Sequence, residues 1–324
     1  NKKINVDGDK SLSIRWLLLA SQCIGVSKAR NLPKSEDVMS AIKCLKVLDI
    51  KIRFEQKNCF IEGRGINGFK FKKNLILNAG NSGTVGRLIL SLIIKSPYKI
   101  KIIGDKSLSK RDFKRVSDPL SKFGAKFKLF NKKKLPLIVF GSKKLKKINY
   151  HEKLGSAQCK SSVILGGMMA NGETIIKAKK SRDHTELLLK YLNLPIKIKK
   201  YNNYDLIKIN KVNKINKINY TIPSDISSSA FFIVLTALVK DSRLTIKNVN
   251  TNPSRTGVIT ILKKMGVKIE FENQRVYKGE KIANIKIKSP KSLKAINCPT
   301  KFNSGAIDEF LVIFLVAAKA KGIS

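Results

Sequence analysis

The sequence has few of the residues that bind metals. It contains two histidines, His151 and His184, and five cysteines that form no Cys-x-x-Cys pair. A zinc site needs clustered His and Cys ligands, so the sequence predicts no metal. We also expect no cofactor. Because the cysteines are odd in number and widely spaced, we expect free thiols in a cytoplasmic protein. The cysteines are Cys23, Cys44, Cys59, Cys159 and Cys298.

Long apolar segments are also missing. The longest, residues 310–318, is far shorter than the roughly 20 residues that span a bilayer. A short apolar stretch after Lys10 resembles a secretory signal only weakly, because Gln22 interrupts it. The sequence therefore predicts no membrane segment.

Acidic and aromatic residues are scarce. There are 22 Asp and Glu against 66 Lys and Arg, a net charge of +44, and 7% of the residues are aromatic. Such a charge fits a nucleic-acid binder, but the lysines alternate with Ile and Asn, as in residues 207–219, which is typical of a genome rich in A and T. Few aromatics are available for stacking on bases. We predict no nucleic-acid partner, and a basic nucleic-acid-binding protein is the minor alternative.

What the sequence has is a repeat. An amphipathic helix, a short break and a basic-apolar strand recur four times, with breaks at Asp49, Gly124, Pro195 and Gly266. Each recurrence predicts a small α/β subdomain, and the length of 324 residues predicts two domains. A fifth break would fall beyond the last residue, and the chain starts with Asn rather than Met. We therefore expect a truncated chain.

Three segments predict helix starts that bind anions. Each places glycines or small hydroxyl residues where first-turn N–H groups meet the positive end of the helix dipole. They are GDKSLSIR at 8–15, NSGTVGR at 81–87 and LGSAQCK at 154–160. A fourth segment, GRGING at 63–68, matches the dinucleotide pattern, but no helix pattern follows it, so we predict a glycine turn.

Two carboxylates, Asp308 and Glu309, precede the apolar run at 310–318. Acidic residues are favoured at helix starts, which is one interpretation. In a site built for anions, a carboxylate is also the expected general base.

Together these motifs resemble a known enzyme family. The strings GDKSLSIR (8–15), NSGTVGR (81–87), KR (110–111), GSAQ (155–158), SRDHTE (181–186), NPSRTG (252–257) and AIDE (306–309) occur in its order. The family is 3-phosphoshikimate 1-carboxyvinyltransferase, or EPSP synthase, and the strings at 181–186 and 252–257 are those of its class II bacterial branch.

The resemblance implies an α/β fold, the two-domain enolpyruvyl transferase fold. This is an inside-out α/β barrel of repeated βαβαββ units, here with an incomplete second domain. The first domain would be complete at residues 8–222, and residues 1–7 plus 223–324 would form part of the second. A later family segment that supplies acid/base Lys and Glu has no match in these 324 residues, so this stretch alone is expected to be impaired in activity.

The resemblance also implies a reaction and its residues. The enolpyruvyl group of phosphoenolpyruvate passes to the 5-hydroxyl of shikimate 3-phosphate, and phosphate is released, in aromatic amino acid biosynthesis. Asp308 and Lys10 would be catalytic. Shikimate 3-phosphate would contact Lys10, Ser11, Arg15, Ser156, Ala157, Gln158, Arg182 and Asp308, and phosphoenolpyruvate would contact Lys10, Gly83, Arg111 and Gln158. With glycine at 83 the site is expected to admit glyphosate, and the protein is expected to be a monomer.

A sister family, UDP-N-acetylglucosamine enolpyruvyl transferase, shares this fold and is the alternative within the same class. It uses a loop cysteine of the first domain and lacks the Lys-Ser-x-Ser-x-Arg start. None of Cys23, Cys44, Cys59 and Cys159 lies in a matching basic loop.

Overall fold

The computed structural model of the protein describes residues 2–324. The strands are β1 (Lys2–Ile4), β2 (Ile24–Arg30), β3 (Lys51–Glu55), β4 (Asn58–Arg64), β5 (Leu75–Asn78), β6 (Ile100–Ile103), β7 (Lys126–Phe130), β8 (Lys134–Phe140), β9 (Asn149–Glu152), β10 (Thr174–Lys179), β11 (Ile196–Lys200), β12 (Tyr204–Ile209), β13 (Asn219–Thr221), β14 (Arg243–Asn250), β15 (Lys268–Tyr277) and β16 (Glu280–Lys288). The helices are α1 (Lys10–Ala20), α2 (Glu36–Val47), α3 (Gly83–Ile93), α4 (Lys106–Ser109), α5 (Lys114–Ser121), α6 (Ala157–Gly167), α7 (His184–Tyr191), α8 (Ile226–Leu238), α9 (Gly257–Lys264), α10 (Asn303–Ala306) and α11 (Phe310–Ala317).

The strands form four sheets of the same design. Each has four strands, of which the first two are parallel and the others antiparallel. The orders are β13-β2-β4-β3, β5-β6-β8-β7, β9-β10-β12-β11 and β1-β14-β16-β15. With the helices between the strands, this arrangement confirms the predicted βαβαββ unit.

In two of the sheets, the first strand is not the strand that comes just before the sheet's first helix in sequence. Strand β1 precedes α1 in sequence but pairs with β14, whereas β13 precedes α8 but pairs with β2. The contacts accordingly divide the chain into a first unit, Lys10–Thr221, and a second unit, Ile222–Ser324 with the N-terminal residues up to Asp9. The resemblance placed these boundaries at residues 8 and 222.

The repeated break is a helix end with a left-handed residue. Asp49, Gly124, Asn193 and Gly266 have φ angles of 66°, 118°, 52° and 98°. After three of these residues, the N–H of the following residue donates to the carbonyl oxygen five residues earlier, as Val267 N does to Leu262 O at 3.0 Å. Such left-handed caps satisfy the last carbonyls of a helix. In the third repeat the cap is therefore Asn193, not the Pro195 that marks the break in the sequence.

Three helices form the centre of the first unit. Helix α3 packs against α6 and α1, and all of its residues are buried. Most residues of α1 and α6 are buried as well, so the apolar side chains of these helices are removed from water, which stabilises the unit. In the first turns of α6 and α3, the Gln158 and Thr84 side chains lie within hydrogen-bond distance of each other.

The second unit has its own core. Residues of α8, α9 and α11 pack with β14 and β16, with Val6 at its edge. Among the described residues, no helix combines the length and apolar character that a membrane crossing requires.

Candidate active site

Arg15 lies on α1 and is held by two other helices. It is 4% exposed. Its Nε donates to Thr185 Oγ1 of α7 at 2.8 Å, and its Nη2 donates to Ser161 Oγ of α6 at 3.2 Å. Thr185 Oγ1 also donates to Ser161 Oγ at 2.8 Å. A guanidinium with this many partners is fixed in orientation, as recognition of a planar anion requires.

Helices α3 and α6 begin in the same way. Ser82 Oγ accepts from Val85 N, and Ser156 Oγ accepts from Cys159 N, each at 3.3 Å. The predicted cap at Ser82 is confirmed. Both helices therefore direct first-turn N–H groups outward, which favours anions at their starts.

Gln158 connects these two helix starts. Its Oε1 accepts a short hydrogen bond from Arg87 Nη1, and its Nε2 donates to Thr84 Oγ1 at 3.1 Å. Both ends of the amide are thus bound on α3. The side chain is oriented before any ligand arrives, and its position depends on Arg87.

A group of cations surrounds Gly83 at the start of α3. A methyl group at Gly83 would lie 3.1 Å from Arg111 Nη1 and 3.3 Å from Arg87 Nη1. Burial, with the nearby positive charges of Arg115 and Arg111, lowers the pKa of Arg87. Guanidinium groups that repel one another attract a bound anion, and the missing side chain at Gly83 leaves room for it.

Lys10 and Arg182 lie at other helix starts of this unit. Lys10 is the first residue of α1, and its Nζ lies 3.2 Å from Asp37 Oδ2. Ser11 accepts from Arg15 through its carbonyl oxygen, at 3.0 Å. Arg182 is half-buried in the segment before α7.

In the second unit, Asp308 is an exposed turn residue between α10 and α11. The next residue, Glu309, is buried and accepts a short hydrogen bond from Ser227 Oγ. Arg255 donates to the same Ser227 Oγ at 2.7 Å. The turn that carries Asp308 is therefore fastened to α8 and to Arg255.

Arg255 is the centre of a buried charged cluster. Its Nη1 lies 3.3 Å from Asp9 Oδ2, and its Nη2 lies 3.8 Å from Asp225 Oδ1. Burial lowers the pKa of Arg255, but the carboxylates of Asp9, Asp225, Glu309 and Asp308 outweigh it and raise the pKa overall. The guanidinium stays charged and binds Asp9, the residue before Lys10.

The predicted residues thus fall into two sets. Within the first unit, Arg15 links α1 to α6, Gln158 links α6 to α3, and Arg111 approaches Gly83. The other predicted residues of that unit lie at three helix starts: Lys10 and Ser11 at α1, Ser156 and Ala157 at α6, and Arg182 before α7. Asp308 lies in the second unit. Sequence reasoning assigned no role to Arg87, Ser161, Thr185 or Arg255, although all but Ser161 lie inside strings that it singled out. Their function shows only in their hydrogen bonds.

The cysteines give no support to a thiol-based site. Burial raises the pKa of Cys23, Cys44 and Cys59 to about 12, and Cys159 is buried. A neutral, inaccessible thiol is a poor nucleophile. Over residues 2–324, no three His, Cys, Asp or Glu side chains are grouped as metal ligands.

Known proteins resemble the chain over nearly all of its length. The profile of the family described as EPSP synthase (3-phosphoshikimate 1-carboxyvinyltransferase) matches residues 1–324. Relatives named 3-phosphoshikimate 1-carboxyvinyltransferase include that of Hydrogenovibrio crunogenus, 40% identical over 99% of this chain and 72% of its own, and that of Ruthia magnifica, 42% identical over 98% and 72%.

A solved structure agrees. EPSP synthase from Acinetobacter baumannii superposes with a TM-score of 0.88 at 35% identity, covering 99% of this chain and 72% of that one. The α/β architecture is therefore that of the enolpyruvyl transferases, as predicted. By profile, sequence and structure alike, the chain belongs to the EPSP synthase family.

Proposed function

We propose that the protein is a 3-phosphoshikimate 1-carboxyvinyltransferase, which transfers the enolpyruvyl group of phosphoenolpyruvate to the 5-hydroxyl of shikimate 3-phosphate. The observation that carries this proposal is the family match over residues 1–324. Both substrates are anions, and the helix starts and oriented guanidinium groups of the first unit are what such substrates need.

Shikimate 3-phosphate would bind around the starts of α1 and α6. Lys10, Ser11 and Arg15 on one side and Ser156, Ala157, Gln158 and Arg182 on the other are the proposed contacts. The bonds from Arg15 to Thr185 and Ser161 support this assignment, because a preoriented guanidinium loses little freedom on binding.

Phosphoenolpyruvate would bind at the start of α3, with Gly83, Arg111, Gln158 and Lys10 as contacts. The closeness of Arg111 and Arg87 to Gly83 supports an anion there. The same space is expected to admit glyphosate, so we expect inhibition of the full-length enzyme by that compound. Full activity at high glyphosate concentration would contradict the proposed size of this site.

The chemistry needs a base for the attacking hydroxyl, which we assign to Asp308. The 5-hydroxyl oxygen forms a bond to C2 of phosphoenolpyruvate while its proton passes to the carboxylate and C3 takes up a proton. Loss of a C3 proton and of phosphate from C2 then restores the double bond. The anchored neighbour Glu309 supports this role, because it fixes the backbone beside the base.

The proposal is tested by phosphate release from phosphoenolpyruvate. Release that requires shikimate 3-phosphate supports it, and release that requires UDP-N-acetylglucosamine instead supports the sister activity. The assay uses a full-length version of the protein, and if neither acceptor supports release there, the proposal is contradicted. Salt-dependent DNA binding that is indifferent to Arg15 and Arg111 would favour the nucleic-acid alternative.

Replacing Asp308 separates binding from chemistry. Asp308→Asn is expected to lower turnover at least about a hundredfold, the usual contribution of a general base, and to leave binding of shikimate 3-phosphate within a few-fold of wild type. Asp241→Asn, at an exposed turn, is the control. Near-normal turnover of Asp308→Asn would remove Asp308 from this role.

A cytoplasmic location and a monomeric state remain predictions. The five free cysteines support a reducing compartment.

A further inference from the structure

Helices α6 and α7 are joined by an ion pair beside Arg15. Lys160 Nζ of α6 lies 2.7 Å from Glu186 Oε1 of α7. The Lys160 side chain is 0% exposed and that of Glu186 is 2% exposed. The proposed reaction assigns no role to either residue.

A buried ion pair of this kind contributes little net stability to the fold. Removing two charges from water costs several kcal/mol per ion, and apolar replacements of a buried pair are often neutral or stabilising. Within the described part of the chain, neither carboxylate oxygen of Glu186 makes a hydrogen bond, so the ion pair alone offsets the desolvation of this carboxylate. Net stabilisation is therefore a weak explanation for the pair.

The neighbours of the pair suggest a different explanation. Lys160 precedes Ser161, and Glu186 follows Thr185; these two hydroxyl residues bind each other and Arg15. Lys160 Nζ also lies 3.4 Å from Ser181 O, next to Arg182. The ion pair and the hydroxyl pair form consecutive links between the same two helices.

Apolar side chains can repack in several arrangements, whereas a buried lysine and glutamate must keep their charged groups in contact to offset the loss of hydration. The pair therefore sets the spacing and register of α6 against α7 more sharply than apolar packing would. Arg15 depends on that register, because its Nε and Nη2 bind one hydroxyl from each helix.

We propose that Lys160 and Glu186 are positioning residues that hold the Arg15 guanidinium in its binding orientation. The inference rests on the proposed function, in which Arg15 contacts shikimate 3-phosphate. It assigns the pair to substrate affinity rather than to folding.

The informative variant replaces both charges with Met. Lys160→Met combined with Glu186→Met leaves no unpaired buried charge, so its melting temperature is expected to stay within about 5 °C of wild type. Its affinity for shikimate 3-phosphate, measured by calorimetry, is expected to fall about tenfold or more, the effect of losing one well-oriented charged hydrogen bond. The matched control is Lys208→Met with Glu173→Met, which removes a partly exposed pair from the same unit and should leave the affinity unchanged.

A second measurement needs no substrate. In a ¹H–¹⁵N spectrum the Arg15 Nε–H, identified by its loss in Arg15→Lys, is expected to exchange slowly with water in the wild type, because Thr185 binds it in the interior. The double Met variant should exchange this proton faster. The control pair should not change it.

The outcomes separate the two proposals. Wild-type affinity of the double Met variant for shikimate 3-phosphate overturns the positioning role, whether or not the exchange of the Arg15 proton changes. The single variants Lys160→Met and Glu186→Met each leave one buried charge unpaired and are expected to lower the melting temperature. If the double variant loses as much melting temperature as these single variants, the pair serves folding and the positioning role is overturned. The wild-type chain could also fail to bind shikimate 3-phosphate while the exchange of the Arg15 proton still depends on the pair. That result overturns the proposed substrate but not the coupling of the pair to Arg15.

Discussion

The central helices of the two units are all rich in apolar residues but differ in burial. In the first unit α1, α3 and α6 are covered almost completely. In the second unit α8 and α11 bury one side only. Their other side is apolar and exposed: Phe231 65%, Leu235 59%, Leu311 80%, Phe314 58% and Leu315 56%.

The difference shows what a helix of this repeat requires. Helix α11 is apolar along its whole length and has no polar face to turn to water, whereas α3 carries Thr84, Arg87 and Ser91 along one side, and all of its residues are buried. In the first unit, the three central helices cover one another. In the second, α8 and α11 cover each other and leave an apolar surface, while the buried cluster around Arg255 connects α8 to the turn at Glu309.

The largest expected effect tests how far the second unit depends on that cluster. Arg255→Met leaves the buried carboxylates of Asp9 and Glu309 without their guanidinium, so we expect a loss of about 3–5 kcal/mol in unfolding free energy, measured in urea by circular dichroism. Arg53→Met, which breaks an exposed pair with Glu55, should cost no more than about 1 kcal/mol. Equal effects would mean that the cluster does not stabilise the unit.

A matched pair of leucines tests the contrast in burial directly. Leu88→Ala on α3, at 0% exposure, is expected to cost about 2–5 kcal/mol, since it leaves a cavity among packed helices. Leu311→Ala on α11 is expected to stay within about 0.5 kcal/mol in the same urea titration. A large cost at Leu311 would show that this side of α11 is covered in solution.

The exposed apolar side should be detectable with a dye. We expect the wild-type chain to bind anilinonaphthalene sulfonate, because contiguous apolar surface of this kind binds such probes. Replacing Phe231, Leu235 and Leu311 by Gln should reduce the fluorescence strongly, whereas Gln at exposed Phe130 and Phe140 of the first unit should change it little.

Light scattering on the same samples tests the predicted monomer.

The smallest effect concerns the thiols. Burial raises the pKa of Cys23, Cys44 and Cys59 from 9.0 to about 12. Between pH 9.0 and about 12 the folded chain therefore binds more protons than the unfolded chain. The contribution of these thiols to the unfolding free energy is fully present below pH 9.0 and is lost as the pH rises toward about 12. Replacing all three cysteines with alanine should make the melting temperature decrease less steeply with pH in the alkaline range. An equally steep decrease in this variant would contradict the raised pKa values.

Thiol labelling provides the matched control for that experiment. Cys298, which is only partly buried, is expected to react with a disulfide reagent before the four buried cysteines of the first unit. Rapid labelling of Cys44 in the native chain would contradict its burial.

Much of the fold was predictable because its signals are local. Helix periodicity and the breaks at Asp49, Gly124 and Gly266 depend on neighbouring residues, and the cap at Ser82 depends on an N–H three residues away. The third break was misplaced, at Pro195 instead of Asn193, since both residue types end helices and only the backbone distinguishes them. The pairing of β1 with β14 and of β13 with β2 shows only in the structure, because no local pattern chooses between distant partners.

The sequence by itself determined the repeat, the anion-ready helix starts and the family, because each is written in short strings with a mechanism of their own. Only the tertiary structure decided which side chains hold the binding groups in place. Ser161 and Thr185 meet at Arg15, Lys160 meets Glu186, and Arg255 meets Asp9 across long stretches of chain. Such pairs form when helices pack, and packing depends on the whole chain rather than on any one segment.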